Sequence, residues 1–280
     1  MSALCTGDKG EKMSQSFITG VWGVYNNTER FLKRRRKIDN DIKLAKMNPF
    51  MPSFKVYVFG EDNYKAMVDD GFDCEMVDKK PIIWDMNTQQ FRHKLEVLHR
   101  GLQDFDEVLF FDWDCQPICP MADDFWDVFK DKASIQAHLH MYHRRKAFWR
   151  KDSQRQIIEA SFVYIRDKEI GPALIKQWEE MGKPWSEEVV IMKYIDGLDK
   201  GWQGTSHFWE KYEPEFNVRG PGRFLSPYAK SLPNTFLHMN ANKVSKILMM
   251  SNGRPIKDVL LNISKTNKAV PVKDEDKYKA

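Results

Sequence analysis

Apolar positions along this chain follow two rhythms. Short runs dense in β-branched and aromatic residues predict strands at Phe17 to Trp22 (FITGVW), Phe54 to Phe59 (FKVYVF), Cys74 to Val77, Val108 to Phe111 (VLFF) and Ala160 to Arg166 (ASFVYIR). Between them apolar residues recur at helical spacings. Phe31, Ile38, Ile42 and Ala45 mark a helix from Thr28 to about Met47, and Phe91, Leu95, Leu98, Leu102 and Phe105 mark one from Thr88 to Phe105. Weaker patterns predict helices from Glu61 to Asp70, around Asp123 to Phe129, from Glu169 to Met181, and from a Ser186 cap through Tyr194. Gly23, Asn26, Asn27, Pro49, Pro52, Gly71, Pro117 and Pro120 punctuate these segments. Strands alternating with helices across short connections predict an α/β fold with a mostly parallel central sheet, wound right-handedly as in a Rossmann-type nucleotide-binding half. That half covers about residues 17–120 of a single domain over 1–280. A second half covers about 121–250, where 197–224 reads as strands and loops around a pocket rim. The Lys- and Asp-rich stretch 265–280 reads as a flexible tail.

Composition narrows the function classes. With 42% apolar residues, 280 positions can bury a core within one domain. The 44 basic and 40 acidic side chains nearly cancel to a net +4, so no nucleic-acid partner is expected. Arg34 to Lys37 are consecutive on a predicted helix and fan around its axis, which suits a solvated face, an acidic partner or a membrane surface. The cysteines Cys5, Cys74, Cys115 and Cys119 follow no zinc spacing and read as thiols of a reducing compartment. The first sixteen residues lack a signal-peptide core, and no run approaches the roughly 18 apolar residues of a membrane span. A cytoplasmic protein is expected, with peripheral membrane contact left open. Neither a Gly-x-Gly-x-x-Gly nor a Walker loop is present, which leaves dinucleotide and P-loop chemistry without support.

The strongest candidate chemistry lies where the apolar run Val108 to Phe111 stops at Asp112-Trp113-Asp114. Residues two apart on a strand share a face, so both carboxylates can converge on one cation at the carboxyl edge of the sheet. Hard oxygen donors suit Mg²⁺ or Mn²⁺, which reach proteins through one or two carboxylates plus substrate phosphates. Solvated loop carboxylates are the plainer alternative. Lys94, at the margin of its helix's apolar stripe, is a surface lysine or one whose ammonium snorkels toward that edge. His138 and His140, two apart, suit a metal, a hydrogen-bonded half-buried role, or a loop facing an anionic or sugar ligand. Glu187 and Glu188 open a helix, where acids stabilise the macrodipole. Beside Trp185, a side chain able to stack on a sugar, either could also act as a general base. His238, five positions before Lys243, is a satisfied core histidine or a ligand.

In order, these features resemble the GT-A glycosyltransferases over roughly residues 17–245: an apolar strand ending in Asp-x-Asp, a Pro-broken stretch, a later strand and helix, a Ser-Glu-Glu helix start, and a late His followed by Lys. The resemblance implies a GT-A-like domain with a nucleotide-binding half followed by an acceptor-binding half. It further implies Asp112, Asp114 and His238 as ligands of Mn²⁺ or Mg²⁺, with Asp114 the more direct. Lys243 would meet the diphosphate, Lys94 would approach the donor, and Val21 to Tyr25, including Trp22 and Val24, would line the nucleobase pocket. Glu188, or Glu187, would be the base of an inverting enzyme, with Trp185, His138 and His140 toward the acceptor. Trp113 departs from the small residue common between the two aspartates and puts the metal geometry in doubt. Length and one-domain plan are also similar to xylosyltransferases of large algal viruses, which implies UDP-xylose as donor, a fucose-bearing glycan as acceptor and a host-cell cytoplasm. A retaining transferase with another UDP-hexose, a sugar nucleotidyltransferase and a non-catalytic carbohydrate-binding protein are the alternatives.

Overall fold

The computed structural model describes residues 14–24, 29–83, 92–129, 134–142, 155–182, 187–199, 218–219, 236–238 and 241–266. In chain order the elements are β1 (Gln15–Val21), β2 (Gly23–Val24), α1 (Glu29–Met47), β3 (Phe54–Phe59), α2 (Glu61–Asp69), β4 (Asp73–Asp78), β5 (Ile82–Ile83) and α3 (Arg92–Asp104). There follow β6 (Glu107–Phe111), β7 (Cys115–Pro117), a short 3₁₀ turn (Phe125–Phe129), β8 (Ile135–Tyr142), β9 (Arg155–Ile165), α4 (Ile170–Glu180) and α5 (Glu187–Asp199). Then come β10 (Val218–Arg219), β11 (Phe236–His238), α6 (Ala241–Met250) and α7 (Ile256–Thr266). Among the described residues no helix is long and apolar enough to cross a membrane.

Six strands form the central sheet in the order β4-β3-β1-β6-β9-β8. β4, β3, β1 and β6 run parallel, and β9 is antiparallel to both β6 and β8. The mostly parallel α/β sheet expected from the sequence is therefore present. The chain steps outward from β1 to β3 to β4 and then returns to place β6 on the other side of β1. That reversal opens a crevice beyond the carboxyl ends of β1 and β6, at Val21 and Phe111, where open α/β sheets bind ligands.

Alternation along the strands builds a layer on each face. Val108 and Phe110 of β6, with Ile18, Tyr57 and Phe59, pack against Leu95, Leu98 and Leu102 of α3, Leu174 and Trp178 of α4, and Val190 and Ile191 of α5. On the opposite face Val56 and Val58 meet Ile42 and Ala45 of α1 and Met67 of α2. Leu109 and Phe111 join Phe17, Phe162 and Phe236 there. β6 is buried along its whole length, which explains an apolar run with no polar alternation. Gly101 lets α3 close onto β1, because a Cβ there would lie 2.5 Å from Ile18 Cδ1.

Three details depart from the pattern-based expectation. Gly23, expected in a turn, pairs in parallel as β2 with β5 through Ile82. The strand expected at 160–166 is the second half of the longer β9, which pairs with β8 on both sides of a register shift at Ala137/His138. α1 carries a second buried face: Leu44 packs with Val244, Ile247 and Leu260 of α6 and α7, helices the pattern did not single out. α7 also occupies 265–266, and the remainder of the expected tail lies outside the described residues. Leu98 has no exposed surface, so Leu98→Ala should destabilise the protein by about 2–5 kcal/mol in urea unfolding. A loss under about 1 kcal/mol would contradict this packing.

Candidate active site

The Asp112–Asp114 segment is a built turn. The Asp112 N–H donates to the Ser161 carbonyl at 2.9 Å, and the Cys115 N–H donates back to the Asp112 carbonyl at 2.7 Å. Thr19 Oγ1 donates to the Phe111 carbonyl at 2.7 Å, joining the ends of β1 and β6. Trp113 folds back into the core, where its ring meets Phe54 and Phe72 edge-on and Nε1 donates to the Gly20 carbonyl at 3.0 Å. Gln116 Nε2 donates to the carbonyls of Trp113 and Asp41, both at 2.8 Å. The tryptophan between the two aspartates is thus the turn's anchor on β1. Gly20 is required beside it, because a Cβ there would stand 2.7 Å from the Trp22 ring and 2.8 Å from Val97 Cγ2.

Lys94 of α3 reaches this turn from beneath. Its Nζ lies 3.2 Å from both Asp112 carboxylate oxygens, 3.1 Å from the Ala160 carbonyl and 2.8 Å from Glu187 Oε1, with the Phe110 ring centroid 5.1 Å away. The expected alternative of a surface lysine is thereby excluded, since the Lys94 side chain is only 7% exposed. Burial alone would pull the Lys94 ammonium down, but the Asp112 and Glu187 carboxylates outweigh it and hold it above its ordinary value. Burial pushes the Asp112 carboxyl up to about 6, with Lys94 opposing and Asp114 and Glu187 adding to the rise. His93, the preceding residue of α3, lies against the rings of Phe59 and Trp22. Burial, aided by neighbouring Arg92, pulls its imidazole down to about 3.

A cavity of about 750 Å³ opens over the turn, in the size range of small-molecule sites. Gly20, Trp22, Lys94, Asp112, Trp113, Asp114 and Glu187 are among its walls, so residues more than 160 positions apart in sequence meet there. Glu188, the next residue of α5, is half-buried and is not one of the wall residues. His238 ends β11, which pairs antiparallel with β7 and sets its backbone opposite Cys115, one residue past Asp114. Lys243 lies in the first turn of α6, Val24 lies on β2, and His138 and His140 lie on β8 at the sheet edge; the side chains of these residues and of His238 lie outside the described residues. Tyr25, Trp185 and the aromatic stretch 200–217 lie wholly outside them. Gly20, Gln116 and Thr19 were not among the residues the sequence assigned to this turn. None carries a signal of its own, because each works through backbone carbonyls distant in sequence.

The donor chemistry fits a divalent cation. Asp112, Asp114 and Glu187 bring three carboxylates to one stretch of the cavity wall, where Asp112 and Glu187 share the Lys94 ammonium, and hard oxygen donors of this kind suit such an ion. Among the described residues no group of three or more His, Cys, Asp or Glu side chains is arranged to hold an ion unaided. Cys74, Cys115 and Cys119 form no disulfide with one another.

No protein-family model matches the sequence, and no curated protein matches it either. Among solved structures, the chain overlaps the apo form of the glycosyltransferase GlyE of Streptococcus pneumoniae TIGR4 at 15% identity and a TM-score of 0.37, covering 94% of this chain and 66% of that one. It overlaps apo mouse xyloside xylosyltransferase 1 at 8% identity and a TM-score of 0.45, covering 82% and 99%. A third overlap is with a glycosyltransferase involved in the glycosylation of the major capsid of PBCV-1, at 12% identity and a TM-score of 0.34, covering 85% and 99%. The chain thus spans about two thirds of the GlyE chain's length. These likenesses are loose, and the site stands on its own geometry.

Two outcomes follow. Lys94→Met leaves Asp112 and Glu187 without their shared ammonium and should destabilise the fold by about 3–5 kcal/mol at neutral pH, measured by urea unfolding. His93 takes up its proton far more readily in the unfolded chain, so its contribution to stability is full above the ordinary histidine value and falls as pH drops toward about 3. Between pH 7 and 5 that loss is about 2 kcal/mol, and His93→Phe should remove this part of the pH dependence. An unchanged slope would place His93 in water.

Proposed function

We propose that this protein is a metal-dependent glycosyltransferase that moves a sugar from a nucleotide-diphosphate donor, UDP-xylose, to a glycan hydroxyl such as that of a fucose. The observation that carries this is the Asp112 and Asp114 pair, fixed at the strand-order reversal and lining a cavity with Glu187 beside it. Asp112, Asp114 and His238 would hold Mn²⁺ or Mg²⁺, with Asp114 the more direct because both Asp112 oxygens already face Lys94. When bound, the ion supplies Lewis-acid stabilisation of the charge that develops on the departing diphosphate. Lys243 assists at the same group, Lys94 borders the donor, and Trp22, Val24 and Tyr25 take the nucleobase side, with Trp113 fixing the turn. Trp185, His138 and His140 belong to the acceptor side.

An acceptor hydroxyl is a poor nucleophile at neutral pH, and an inverting enzyme needs a carboxylate within hydrogen-bond reach of it. We assign that role to Glu188. A second course is favoured by two features: the Glu187 carboxylate is engaged by Lys94, and Glu188 is not a wall residue of the cavity. These suit a retaining transferase, which needs no such base. A sugar nucleotidyltransferase would want a Gly-rich phosphate loop after β1, whereas Gly20 there is occupied by the Trp22 ring. A purely sugar-binding protein would have no use for three carboxylates gathered at the strand-order reversal.

Donor turnover separates these classes as sugar transfer, pyrophosphate exchange or neither, and Asp114→Ala should abolish the transfer. Glu188→Gln should lower kcat roughly 10² to 10⁴-fold while sparing donor binding, with an inverted anomeric product by NMR. Full turnover in that variant, with a retained anomer, would move the assignment to the retaining course.

A further inference from the structure

We infer that Glu187 is a positioning residue that acts through Lys94 on Asp112, setting how strongly the two aspartates hold a divalent cation. This rests on the proposed cation site but not on the identity of the sugar or acceptor.

An ammonium has three N–H donors, and Lys94 meets three acceptors: the Asp112 carboxylate at 3.2 Å, the Ala160 carbonyl at 3.1 Å and Glu187 Oε1 at 2.8 Å. Its capacity is filled, so it cannot donate to a ligand without releasing one of these. The shortest contact is to Glu187, whose side chain is 8% exposed, against 30% for Asp112. The four elements that meet at Nζ are α3, the end of β6, β9 and the first residue of α5, so the ammonium pins the helix of the second half to the turn of the first.

Charge decides the direction of the effect. Glu187 draws on the ammonium and leaves Asp112 more of its negative charge for the cavity. With Glu187 made neutral, Lys94 turns fully to Asp112, and a cation arriving at Asp112 and Asp114 faces one less negative charge and a closer positive one. Removing a partner that holds a ligating side chain typically weakens metal affinity roughly 10–100-fold.

The test uses Mn²⁺ alone as the probe, with binding to the full chain followed by electron paramagnetic resonance. Glu187→Gln should weaken Mn²⁺ by roughly 10–100-fold, and Glu187→Asp, which keeps the charge, should recover most of that loss. In turnover, Glu187→Gln should raise the Mn²⁺ concentration needed for half activity. In a Lys94→Met background, Glu187→Gln should cost clearly less Mn²⁺ affinity than it does beside Lys94, because only the lost charge acts there and not the redirected ammonium. An unchanged Mn²⁺ affinity in Glu187→Gln overturns the inference, whether accompanied by a lower melting temperature or by a collapse of kcat at saturating metal. An equal loss in the Lys94→Met background overturns the route through Lys94. Wild-type protein that binds no Mn²⁺ overturns the inference together with the cation site. Mn²⁺ binding that responds to Glu187 but never to a nucleotide overturns only the proposed function.

Discussion

An ammonium held in a nearly water-free space survives only if anions and carbonyls surround it, and Lys94 finds them on three separate segments of the chain. Asp112 comes from the end of β6, Ala160 from β9 and Glu187 from the start of α5. Each must arrive in register for the charge to be tolerated, so one buried side chain dictates how the helix layer sits on the carboxyl edge of the sheet. The same constraint gathers Asp112 and Glu187 around one ammonium, with Asp114 beside them on the cavity wall. That group of carboxylates, set against a cavity at the strand-order reversal, is what the proposed cation-diphosphate site rests on.

Rigidity on the opposite side comes from neutral hydrogen bonds. Trp113 is tied to the Gly20 carbonyl, Gln116 to the carbonyls of Trp113 and Asp41, and Asn48 Nδ2 to the Pro117 carbonyl at 2.8 Å. The turn is therefore held to β1 and to α1 through neutral hydrogen bonds of Trp113, Gln116 and Asn48. A tryptophan between two aspartates, which at first puts a metal site in doubt, serves here as the fastening of the turn. β7 continues from this turn into a small sheet, and its pairing with β11 carries His238 back to Cys115 across more than 120 residues.

What the sequence disclosed was whatever depends on local pattern. The strands of the parallel sheet, α3 with its apolar stripe and the abrupt stop at Asp112 all rest on periodicities visible in a single segment. Lys94 was legible only as a question, since its place at the margin of a stripe is compatible with water or with burial. Distant partners answered it. The second face of α1 was hidden because Leu44 is buried against α6 and α7, more than 190 residues away, and a helix packed on two sides has no clean stripe. Glu187 and Glu188 were indistinguishable as neighbours in a first turn; the fold separates them, carrying one to Lys94 and leaving the other outside the cavity wall. Gly20, Thr19 and Gln116 contribute through backbone carbonyls, for which the sequence holds no marker.

The most direct test of the central claim is isothermal titration of the protein with UDP-xylose, UDP-glucose, UDP-galactose and GDP-sugars, each with and without Mn²⁺. One donor should bind tightly only when the ion is present, because the carboxylates of Asp112 and Asp114 do not by themselves attract a bare diphosphate. Equal binding with and without Mn²⁺, or binding to none of these donors, would contradict a cation-diphosphate site at the end of β6.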